Sequence, residues 1–312
     1  MPAATAPNGP AANRLLGHPP TARLLLLNCD DFGLDESVNL AVVEAVQRGI
    51  AASCSLMTPC PGAPHALRLL RRHPEIPFGV HLTLVCEAPH LRWGPLAARD
   101  RVPTLLDATG ELYAPTPAGR AALLARAQLE DVEREFRAQI DAVAATGLAP
   151  THLDFHCLAD GGREDILDLT LALGAEYGLA VRVWLPPALA RMRERGLPVV
   201  DHGFLDSFAV PLEDKPAHYA RLLAGLPPGL TEWAVHPSLA TGPNPRAPED
   251  GRPDDGWQVR RTDYEFLVSP EARRLLAEHE VTVLGYRPLQ EAWQGARGPV
   301  TPWSDKAPDV PR

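Results

Sequence analysis

The sequence predicts an α/β fold built on a mainly parallel sheet or barrel, and three observations predict it. Short β-rich runs alternate with helix-like segments along most of the chain, the pattern of a parallel sheet or barrel. The first run, LLLLNCDDFGL at residues 24–34, is apolar enough to be buried on both faces, yet it ends on two carboxylates, Asp30 and Asp31. Later runs also carry ionisable residues at or near their ends, where a parallel barrel gathers reactive groups.

Taken in order, the strands expected are 23–29, 51–57, 77–85, 151–157, 179–184, 231–236 and 281–285, each a short β-branched or apolar run bounded by turn residues. Helices are expected at 35–48, 62–73, 118–146 and 163–177. The first opens on Asp35 and carries Val38, Val42, Val43 and Val46 on one side, as an amphipathic helix with an N-cap should. Gly49, Gly147 and Gly178 lie where left-handed caps are wanted. Residues 87–117 and 237–256 are punctuated by proline and predict no clear element; the first reads as a long insertion over one face. Residues 1–22, rich in Ala and Pro, read as a disordered arm, 23–296 as one domain, and 297–312 as a flexible tail.

Composition excludes several roles. A net charge of -9 leaves no global basic field for a nucleic-acid partner, and no run reaches the roughly 18 to 20 apolar residues of a membrane span. The five cysteines are scattered, without CxxC pairs, and no secretory signal opens the chain, so a reducing cytoplasm is expected. Cys157, beside His156, is expected as a small buried hydrophobe rather than a nucleophile.

The strand-end rule turns scattered polar residues into one proposed site. Asp30 and Asp31 end the first strand, His81 interrupts the third, His156 closes the fourth, and His236 closes the sixth. In THLDFHC the period of two puts His152, Asp154 and His156 on one face. Asp31, His81 and His156 together supply the carboxylate and two imidazoles that suit a divalent ion able to activate water. A solvated acidic turn with two unrelated histidines would give the same letters. Neighbouring strand residues face opposite ways, so Asp30 and Asp31 can share a site only if the chain leaves extended geometry, for which the Phe32-Gly33 step is the candidate. Their mutual repulsion would be relieved by a cation between them.

The strings NCDDFGL, GVHLTL, PTHLDFH and VHP, in this order over residues 23–290, resemble the YdjC-like carbohydrate deacetylases, the group that includes chitooligosaccharide and hopanoid-associated deacetylases. The resemblance implies a distorted, TIM-barrel-like (βα) barrel of the glycoside hydrolase and deacetylase type and one divalent metal ion, Mg²⁺ or Zn²⁺, held by Asp31, His81 and His156. It also implies catalytic roles for Asp30 as base, His236 as acid and Arg182 beside them. The partner implied is a small N-acetylated carbohydrate; with the charge arguing against nucleic acid and no membrane span, a homodimer is the other partnership left open. His152 and Asp154 are expected to support the site and Trp93 to meet the substrate. The family string HxDxHxH departs here, because its last histidine is replaced by Leu158, which puts sugar preference in question. Two readings stay open beside the deacetylase. One is a metal-free glycosidase using two carboxylates about 5 to 9.5 Å apart; the other is a sugar- or metal-binding protein without turnover.

Overall fold

The computed structural model describes residues 10–242 and 256–297. Its centre is β1 (Arg23–Phe32), a ten-residue strand whose leucines 24 to 27 are all buried. Around it lie β2 (Ser53–Leu56), β3 (Phe78–Leu82), β4 (His152–Phe155), β5 (Ala180–Val181), β6 (Leu205–Asp206), β7 (Gly229–Val235) and β8 (Val281–Leu284). The sheet runs β5-β4-β3-β2-β1-β7-β6, and every pairing is parallel. Strand β7 takes one edge of β1 along Arg23 to Cys29. The other edge is divided, with β8 against Arg23–Leu26 and β2 against Asn28–Phe32. Among the described residues β5 and β6 do not pair, so the barrel is distorted and open between them.

Parallel strands need crossovers, and helices supply them. In chain order these are α1 (Ala11–Leu15), α2 (Glu36–Gln47), α3 (Ala63–Arg72), α4 (Pro117–Arg126), α5 (Leu129–Ala144), α6 (Glu164–Tyr177), α7 (Pro186–Glu194), α8 (Lys215–Ala224), α9 (Gly256–Leu267), α10 (Pro270–Glu278) and α11 (Arg287–Arg297). Asp35 caps α2 as expected, its Oδ1 accepting from the Val38 amide at 2.8 Å. Gly147 and Gly178 are left-handed, whereas Gly49 is not.

Four expectations are corrected here. The helix expected over 118–146 is two, because Ala127 and Gln128 are extended and the carbonyls of Leu124 and Ala127 are bound by Arg163. Part of the proposed disordered arm is ordered: α1 buries Ala12 and Asn13, and Asn13 Nδ2 donates to the carbonyls of Pro19 and Ala22; residues 1–9 lie outside the described residues. The strand expected over 179–184 shrinks to Ala180–Val181. The 87–117 segment contains 3₁₀ turns at Arg99–Arg101 and Pro103–Leu105, pinned by Glu135, which accepts from the amides of Leu96 and Ala97. Most of 237–256 and the tail from 298 lie outside the described residues. No helix among the described residues is long and apolar enough to cross a membrane.

Close packing beneath the strand ends rests on one glycine. A Cβ on Gly79 would lie 2.5 Å from Nε2 of His152, whose ring stacks on Tyr286 at 3.6 Å between centroids. Gly79→Ala is expected to cost about 1–3 kcal/mol of stability in urea unfolding, as overpacking does. Alanine at exposed Gly203, where nothing lies within 4 Å, is expected to change it by less than about 0.5 kcal/mol.

Candidate active site

At the end of β1 the backbone itself turns. Asp31 adopts φ 64°, in the left-handed region, and the β1–β2 register breaks between Cys29 and Phe32. The departure from extended geometry therefore falls on Asp31, one step earlier than the Phe32-Gly33 position expected from sequence, and Gly33 follows at φ 100°. The bulge turns both carboxylates into one region.

Asp31 Oδ1 lies 3.4 Å from His81 Nε2 and 3.2 Å from His156 Nδ1, and all three residues are buried. Two ligands about 2.0 to 2.2 Å from one ion at tetrahedral to octahedral angles stand about 3.0 to 3.4 Å apart, so these separations fit a divalent cation. His81 Nδ1 faces Asp154 Oδ1 at 2.8 Å, the carboxylate support that leaves the opposite nitrogen free to ligate. Asp31 Oδ2 accepts from Arg260 at 2.6 Å. Burial alone would raise the Asp31 carboxyl, but Arg260 and the two imidazoles outweigh it and hold it well below its ordinary value.

Asp30 has a separate cation. Arg182 donates to both its oxygens, Nη1 to Oδ2 at 2.7 Å and Nη2 to Oδ1 at 2.9 Å, and Asn28 adds a bond at 2.7 Å. The same guanidinium meets Asp154 Oδ2 at 2.9 Å and Glu232 Oε1 at 2.6 Å. The conflict between adjacent acids is thus relieved by two arginines on different carboxylates. His152 and Asp154 lie beneath this cluster: Ser55 Oγ donates to Asp154 Oδ2 at 2.5 Å and lies 3.2 Å from His152 Nε2.

His236 sits elsewhere on the rim. Its Nδ1 is 2.8 Å from Ser207 Oγ, its amide donates to Asp263, and Phe208 packs edge-on against its ring. Phe208 in turn lies under Arg260, 5.3 Å from the guanidinium carbon, which connects His236 to Asp31 through two intervening side chains.

A cavity of about 650 Å³ opens beside this cluster, lined by Asp30, His81 and Arg182 on its polar side and by Phe155, Leu158 and Trp184 among its apolar walls. Its volume suits a small ligand. Leu158 thus presents an aliphatic surface in the cavity wall. Trp184 stacks on Phe204 at 4.8 Å. Trp93, expected at the substrate, is buried among core side chains and is not part of this lining. Cys157, expected as buried, is exposed, because a left-handed backbone at φ 56° turns it outward beside His156.

Glu87, Arg260, Glu232 and Tyr286 were not found by sequence reasoning. Glu87 follows GVHLTL in the segment read as an insertion, and Glu232 lies inside an apolar strand, where a lone acid is itself a signal. Burial pushes the Glu232 carboxyl up to about 7, against the pull of Arg182. A carboxyl raised in the folded state stabilises fully below its unfolded value and loses that contribution as pH rises through the folded one. Wild type is therefore expected to lose stability relative to Glu232→Gln between about pH 5 and about pH 8, seen as a narrowing or reversal of the gap between their urea midpoints.

Residues 24–278 match the family model for YdjC-like protein. A carbohydrate deacetylase of Geobacillus stearothermophilus is 31% identical over 266 residues, covering 85% of this chain and 97% of that protein. One from Thermus thermophilus is 35% identical over 283 residues, covering 86% and 95%. A solved Enterococcus faecalis structure, described as a candidate cellobiose-phosphate cleavage protein, superposes with a TM-score of 0.69 at 24% identity over 86% of this chain and 99% of that one, a likeness of fold. With the strand-end cluster and the extent of these matches, the chain belongs to the YdjC-like family.

Proposed function

We propose that the protein is a metal-dependent hydrolase that removes acetyl from an N-acetylated sugar. The observation that carries this reading is the convergence of Asp31 Oδ1, His81 Nε2 and His156 Nδ1 beside a sugar-sized cavity that displays Asp30. The relatives named as carbohydrate deacetylases, matched over most of both chains, support the same reaction class.

Asp31, His81 and His156 would hold the divalent ion; when bound, such an ion supplies Lewis acidity and an acidified water. Asp30 stays ionised because Arg182 more than offsets the effect of burial and holds the carboxyl below its usual range. An ionised carboxylate fixed by three hydrogen bonds and exposed to the cavity can accept a proton from water without searching for its orientation. Arg182 positions that base. His236, on the rim with Nδ1 facing Ser207 and outside the cavity lining, would be the proton donor to the departing amine through Nε2. Leu158 shapes the wall that receives the sugar, and the aromatic pair Trp184 and Phe204 offers a face for its ring.

The test is acetate release from N-acetylglucosamine oligomers. Dialysis against EDTA is expected to abolish it and added Mg²⁺ or Zn²⁺ to restore it. Asp30→Asn is expected to lower kcat by about 10²-fold or more while the protein still binds the ion. Full acetate release from chelated protein would overturn the metal-dependent reading, and full activity of Asp30→Asn would remove the base.

A further inference from the structure

His156 has two ring nitrogens, and only one faces Asp31. The other, Nε2, faces a different set of ligand atoms: Glu87 Oε2 at 3.4 Å and Cys157 Sγ at 3.5 Å. From these contacts we infer that Glu87, His156 and Cys157 form a second divalent-cation site, adjacent to the first and selective for a soft ion of the Zn²⁺ class.

The spacing carries the inference. Zinc bound tetrahedrally to imidazole nitrogen, carboxylate oxygen and thiolate sulfur sets N and O about 3.4 Å apart and N and S about 3.6 Å apart. Both separations are already present, and the candidate ligand atoms of all three residues lie within 4.8 Å of one another. Glu87 is held for the purpose: its Oε1 accepts from Arg260 at 2.5 Å, which leaves Oε2 turned toward the imidazole. Cys157 is exposed and lines the large cavity, so an ion has a route in and an open coordination position toward solvent. A thiolate in the set favours Zn²⁺ over Mg²⁺, whereas the Asp-His-His set offers only harder ligands.

Sharing His156 couples the two sites. A neutral imidazole has one lone pair on nitrogen, so a ligand bond from Nε2 leaves a proton on Nδ1, which donates to Asp31. A ligand bond from Nδ1 leaves the proton on Nε2, which donates to Glu87. Each ion therefore weakens the other unless the ring gives up both protons. An ion at the Cys157 site would also stand in the cavity wall.

Cobalt reports thiolate ligation directly through its near-ultraviolet charge-transfer absorption. Titration of the full chain with Co²⁺ is expected to produce that band, and Zn²⁺ to bleach it by displacement. Cys157→Ser, a conservative change at an exposed position, is expected to lose the band, and Glu87→Gln to shift its midpoint to Co²⁺ concentrations at least about tenfold higher. No band at saturating Co²⁺, or an unchanged band in Cys157→Ser, overturns the site. The measurement needs no substrate, so a protein that shows the band yet releases no acetate would keep this site and remove the deacetylase reading.

Discussion

A single buried guanidinium holds the polar interior together. Arg182, just past β5, contacts Asp30 on β1, Asp154 on β4 and Glu232 on β7, with Tyr286 beyond β8 closing the set through its hydroxyl. One positive charge cannot balance three carboxylates in a medium that solvates ions poorly, so one acid must stay protonated or find other donors. Burial pushes the Glu232 carboxyl toward its neutral form against the pull of Arg182, and Asp154 finds other partners in His81 and Ser55. Removing the arginine would strand charges inside the barrel, a loss of about 3–5 kcal/mol by the usual cost of breaking a buried pair. The same contacts set the direction of Asp30.

The cluster is layered outward from this point. Asn28, Ser53 and Ser55 form a hydrogen-bonded floor, with Asn28 Oδ1 accepting from Ser53 and Asn28 Nδ2 2.6 Å from Ser55. Asp154 rises from that floor to orient His81, and His81 meets Asp31. Arg260 and Glu87 close the outer side, from α9 and from the segment after β3. The ionisable groups of this array are thus held by hydrogen bonds and ion pairs to one another, which keeps them rigid.

Much of this was legible in the letters because strand ends in a parallel barrel are forced together. Asp30, Asp31, His81 and His156 could be placed from local runs alone, and the structure brings them into one cluster. The residues that escaped are those whose meaning depends on distant partners. Arg260 lies 229 positions from Asp31, behind a proline-rich stretch that hid the start of α9. Glu87 looked like the beginning of a loop, and its value lies in the guanidinium that meets it in space. Trp93 and Cys157 were misjudged in opposite directions. A tryptophan in a loop can still find a core to enter, and a small thiol in an apolar string can be turned out by one left-handed residue. The break between α4 and α5 was invisible because Arg163, which takes the exposed carbonyls, comes 36 residues later.

The divided edge of β1 has a consequence for how the molecule is made. Its leucines are sheltered by β7 on one side and by β8 on the other, elements separated from them by some two hundred positions or more. During synthesis the ribosome exposes LLLL long before either neighbour has emerged, and contacts of such high sequence separation form slowly. The nascent chain must carry its stickiest segment unpartnered through most of translation, a period in which chaperone capture competes with aggregation.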